Sequence, residues 1–93
     1  MQEIIRIQVQ FMKEGDTAIV YSPALEISGY GKTLKEAQVD FHKAVNIFME
    51  ETTEKGTFKR ALETLGWKRI DHHWEPQIEI LSGGKTEEIA IPT

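Results

Sequence analysis

The chain predicts an α+β fold: an antiparallel β-β-β meander packed on one long helix, with a short second helix and C-terminal β-strands. Three observations predict it. Apolar and polar residues alternate over the first strand-length segment, turn chemistry separates that segment from two more β-rich runs, and from Leu34 the apolar spacing lengthens to that of a helix. With 93 residues the chain is long enough to bury one modest core, so residues 1–93 are expected to form a single domain.

The segment from Glu3 to Met12 places Ile5, Ile7, Val9 and Phe11 on one face and Arg6, Gln8 and Gln10 on the other, the pattern of a half-buried strand. Lys13-Glu14-Gly15-Asp16 carries turn residues, and Thr17 to Ser22 resumes a β-rich run, so the two segments are expected to pair as a hairpin. Pro23 lacks a ladder N–H and ends that strand. A third strand is expected over Leu25 to Ser28, followed by a tight reversal at Gly29-Tyr30-Gly31, where glycine permits positive φ.

Thr33-Leu34-Lys35-Glu36 has the spacing of a capping box, in which threonine accepts the Glu36 amide and the Glu36 carboxylate reaches back to the threonine amide. A helix therefore starts at Leu34. Leu34, Ala37, Phe41, Ala44, Val45, Phe48 and Thr52 fall within one arc, with Met49 at its edge, and Gly56 is a suitable stop. Val39 and Ile47 project from the opposite side, among Lys43, Asn46 and Glu50.

A shorter helix is expected over Phe58 to Leu65, with Thr57 as N-cap, Ala61, Leu62 and Leu65 as its apolar stripe, and Gly66 as its break. Trp67 to Ile70 and Trp74 to Leu81 read as strands joined by an Asp71-His72-His73 turn. Gly83-Gly84 reads as a hairpin turn before a last strand around Glu87 to Ile91.

Composition narrows the function. Apolar residues make up 40% and charged residues 28%, a globular balance rather than that of a disordered chain. The absence of cysteine removes disulfides and thiolate metal sites, and no apolar leader follows Met1, so a cytoplasmic location is expected. Apolar runs fall far short of the roughly 20 residues that span a bilayer, so no membrane association is expected. A net charge of −4 disfavours phosphate-dominated nucleic-acid binding and suits a basic partner.

No chemistry-bearing constellation emerges. Glu3, Glu26 and Asp40 fall on separate predicted elements, which reads as solvated acids rather than a two-metal site. His72 and His73 are adjacent and point to opposite faces of an extended segment, and His42 is remote from both. Ser22, Ser28 and Ser82 lack a nucleophile-elbow context, and Gly83-Gly84-Lys85-Thr86 lacks the earlier glycine of a phosphate loop. The reading is non-enzymatic, with no metal and no cofactor.

The stretch from Val20 to Ala37 resembles the signature of the HicB family of antitoxins: a strand, a proline-leucine element (Pro23, Leu25), a glycine (Gly29), and a helix-opening element (Gly31, Thr33, Glu36, Ala37). Tyr30 stands where the family often has cysteine, and Ala24 where aspartate is common. The resemblance covers about residues 3–56 and leaves 57–93 as an extension of short helix and β-strands. It implies a partial ribonuclease-H-like fold and a function by occlusion: neutralising a small basic HicA-type toxin that cleaves messenger RNA. Many members also repress their operon through an added DNA-binding domain. The helix-strand-strand-strand order after Gly56 matches neither a ribbon-helix-helix nor a helix-turn-helix, so direct DNA binding is not expected.

Val39 and Ile47 on the outer helix face, with Trp67 and Trp74, are the candidate protein-interaction residues, because buried aromatics dominate interface energies; the competing reading is that the tryptophans complete the core. Unpaired edge strands are templates for a second copy, so a homodimer through strand pairing is expected. The alternative function is a stand-alone oligomeric regulatory or scaffolding module with no toxin partner.

Overall fold

The computed structural model describes residues 3–92. Its elements are β1 (Ile4–Glu14), β2 (Thr17–Ser22), β3 (Ile27–Gly31), α1 (Leu34–Glu54), α2 (Phe58–Thr64), β4 (Lys68–Ile70), β5 (His73–Glu75) and β6 (Lys85–Ala90). An antiparallel sheet of order β3-β2-β1-β6 carries α1 on one face, and β4 and β5 form a separate small ladder. The α+β class and the meander-on-helix arrangement agree with the sequence expectation.

Alternation along β1 decides which face meets the helix. Ile5, Ile7 and Val9 are fully buried, and the pairing of Phe11 with Val20 carries the same face into β2. Phe11 was expected in that core but is 37% exposed: β6 ends opposite Val9, so no strand flanks Phe11 on that side. From α1, Ala37, Phe41, Val45 and Met49 form the buried stripe, each one helical turn from the next. Met49 is thus central rather than marginal, while Leu34 is exposed. Gly56 takes φ +68 just beyond the Lys55 C-cap, as a helix stop requires.

Strand β3 starts two residues later than expected and runs through the glycines read as the reversal that follows it. Residues 23–26 make the turn: Ser22 Oγ accepts the Leu25 N–H, the Glu26 N–H donates to the Ser22 carbonyl at 2.8 Å, and Glu26 takes φ +56. Gly29, Tyr30 and Gly31 are strand residues instead. Their glycines serve close packing: a Cβ on Gly29 would lie 2.5 Å from the Ala37 carbonyl oxygen, and one on Gly31 would lie 2.6 Å from the Ala37 nitrogen. The helix backbone rests directly on this strand, and only glycine leaves room for it.

The C-terminal third departs most from expectation. The strand predicted over Trp74 to Leu81 stops at Glu75, because Pro76 cannot continue the ladder. Residues 76–84 run as an irregular segment beside β1, and the Gln8 side chain holds Ile80 by accepting its N–H at 2.8 Å and donating to its carbonyl at 3.4 Å. Gly83-Gly84 is therefore not a hairpin turn. The last strand pairs with β1, Ile5 opposite Ile89 and Ile7 opposite Glu87, which brings Ile89 and Ile91 into the core. The turn between β4 and β5 is Asp71-His72, at φ +46 and +72, and His73 belongs to β5. Helix α2 ends at Thr64, one residue early, and Thr57 makes no side-chain cap bond.

Candidate interaction surface

The four candidate anchors separate into two pairs. Val39 and Ile47 lie on the outer face of α1, 50% and 55% exposed. Trp67 and Trp74 are 3% and 7% exposed and belong to the core. The Trp67 indole N–H donates to the Ala24 carbonyl at 2.8 Å, tying the C-terminal extension to the β2–β3 turn. Above the Trp74 ring sits the Arg69 guanidinium, 5.6 Å from its centre, and Arg69 pairs with Glu3 at 2.7 Å. Two tryptophans in so small a chain go where their large apolar area is most needed, so they staple the extension rather than present it.

The motif residues converge on one junction. Leu25 is buried beneath the turn that follows Pro23, Gly29 and Gly31 admit the helix, and Ala37 is fully buried against them. Both bonds of the capping box form, with Glu36 N–H to Thr33 Oγ1 and Thr33 N–H to Glu36 Oε2, each at 3.2 Å. These residues position β3 and α1.

The candidate acids stay apart. Glu3 pairs with Arg69, Glu26 is exposed in its turn, and Asp40 accepts the Tyr30 N–H. Among the described residues no three His, Cys, Asp or Glu side chains gather as a metal set would. His42 bridges α1 and β6: Nδ1 lies 2.9 Å from the Gln38 carbonyl and Nε2 2.9 Å from Glu87 Oε2. Ser22 is buried with its Oγ accepting the Leu25 N–H, Ser28 is half-buried and Ser82 is exposed. His72 is exposed in the β4–β5 turn, and His73 lies 3.2 Å from Glu75.

Sequence reasoning missed one surface and one contrast. The surface is the sheet face away from α1, where Met12, Ile19 and Tyr30 form a row across β1, β2 and β3, with Met12 and Tyr30 42% and 55% exposed. These are the other parity of the same alternation, so their shared face was readable once the register was known. The contrast lies between the two sheet edges. Along β3 and its continuation, the Tyr30 N–H donates to Asp40 Oδ2 at 2.9 Å and the Lys32 N–H to Glu36 Oε2 at 3.1 Å. Two carboxylates one helical turn apart thus stand in for the carbonyls of a neighbouring strand. Along β6 the Ile91 N–H donates to the Glu3 carbonyl, so by alternation Lys85, Glu87 and Ile89 bond β1, and Thr86, Glu88 and Ala90 turn their N–H groups outward. Among the described residues nothing bonds those outward groups.

No helix of the described residues is long and apolar enough to cross a membrane. No family model matches the chain, and no curated protein or solved structure matches it.

Proposed function

We propose that this chain is a HicB-like antitoxin-type protein that acts by binding another protein, a small basic HicA-type toxin that cleaves messenger RNA, without a DNA-binding domain of its own. The observation that carries this reading is the β2–β3–α1 junction, where Gly29 and Gly31 admit the helix at Ala37, Leu25 is buried in the turn that Pro23 opens, and Thr33 and Glu36 form the capping box. A signature made of packing glycines and a helix cap specifies a scaffold, whose function then rests on the surfaces it presents. The net charge of −4 favours association with a basic protein by electrostatic steering. Self-association through a sheet edge, in a cytoplasmic setting, is part of the same reading.

The test is affinity capture of the tagged chain from its native cells, with mass spectrometry of what is retained and an RNA-cleavage assay of the recovered partner. Stoichiometric recovery of one small basic protein whose cleavage of messenger RNA stops on adding this chain is the expected result. Recovery of the chain's own copies alone would replace this reading with that of a stand-alone oligomeric module.

A further inference from the structure

The two edges of the sheet are treated differently, and the difference selects where another strand can add. At edge β3, Asp40 accepts the outward N–H of Tyr30, and Glu36 accepts that of Lys32 just beyond the strand. Edge β6 presents Thr86, Glu88 and Ala90 with outward N–H and C=O groups and no side chain bonded to them among the described residues. Unpaired edges of this kind are templates for strand addition, and natural proteins that avoid addition block them.

We infer that a second copy of this chain adds to β6, antiparallel, about a two-fold axis through Thr86. This rests on the reading of the chain as a self-associating binding protein and not on the identity of any toxin. The register follows from charge. An axis through Lys85, Glu87 or Glu88 sets a residue opposite its own like-charged copy, which opposes pairing. An axis through Ile89 or Ala90 brings Pro92, which has no N–H, to a position that must donate. The axis through Thr86 sets the two threonines together and places Lys85 of each copy opposite Glu87 of the other, in the non-hydrogen-bonded sites where side chains approach most closely. His42 bonds only the Oε2 oxygen of Glu87, whose side chain is 12% exposed, so Oε1 is the acceptor left to this lysine. Gly84, opposite Glu88, adds no side chain to the contact.

The experiment is light scattering of the purified full chain, of Lys85→Glu, of Glu87→Lys, and of an equimolar mixture of the two variants. The expected wild type is a dimer, and each variant alone should dimerise ~tenfold more weakly because two attractive pairs become repulsive. In the mixture every introduced charge meets its opposite, so a heterodimer should form with the strength of the wild type; that recovery also shows that both variants fold. A monomeric wild type, a dimer indifferent to both reversals, or a mixture no stronger than its components would overturn the inference. A monomer that still captures a basic partner would overturn it while leaving the proposed function intact, and a charge-sensitive dimer that captures no partner would do the reverse.

Discussion

At the scale of single residues, Gly29 is the position with least freedom. Its missing side chain is what lets the backbone of α1 at Ala37 and Phe41 lie on β3. Gly29→Ala should therefore cost about 3 kcal/mol, the upper part of the range for overpacking, since the atoms in the way are backbone and cannot rotate aside. A urea titration followed by circular dichroism would read it. Trp67→Phe keeps most of the apolar area but leaves the Ala24 carbonyl without its 2.8 Å partner, and should cost about 2 kcal/mol by the same measurement. Ile47→Asp changes an exposed side chain on the outer face of α1 and should move stability by no more than ~0.5 kcal/mol. If the toxin-type partner docks on that face, the same substitution should abolish its capture without touching the fold.

Elements were legible where a local rule acts alone. The β1–β2 hairpin needs only alternation and a Gly15 turn, and β2 occupies the predicted Thr17–Ser22. Helix α1 needs its capping box and its periodicity, and it begins at the predicted Leu34. Replacing the cap, Thr33→Ala, should lower stability by about 1 kcal/mol, read as a fall in thermal midpoint. Strand β3 was misplaced because glycine has two uses, left-handed backbone and close approach, and the sequence shows the residue but not the use. The same ambiguity hid the edge. Asp40 reads as a solvated acid on the polar side of a helix, and only packing shows that its Oδ2 lies 2.9 Å from the Tyr30 nitrogen. Asp40→Ala should uncover a second sheet edge, and light scattering should then show association beyond any dimer formed through β6.

For the whole molecule, the stretch 3–56 that carries the resemblance holds only part of the core. Leu62, Trp67, Trp74, Ile89 and Ile91 all come from the remainder and share one core with Ile5, Ile7, Phe41 and Met49. Deleting 57–93 would also strip β1 of its β6 neighbour and expose the flank of the sheet. A fragment ending at Gly56 should lose the dispersed amide spectrum of the full chain and aggregate. The signature-like stretch therefore packs β3 on α1, while residues that complete the core lie outside it. The four candidate anchors show the same limit: from sequence the tryptophans and the outer-helix pair are equally apolar, and burial divides them.

The sequence by itself determined the class of fold, the meander, the capping box and the long helix, because alternation, turn chemistry and caps act between residues within a few positions of one another. The tertiary structure alone decided the partner of the last strand, the task of Gly29 and Gly31, the burial of Trp67 and Trp74, and the contrast between a capped and an uncapped edge. These depend on contacts between residues tens of positions apart, such as Ile5 with Ile89 and Trp67 with Ala24. Local composition sets which pairings a strand can make, and the competition for core area settles which one it makes.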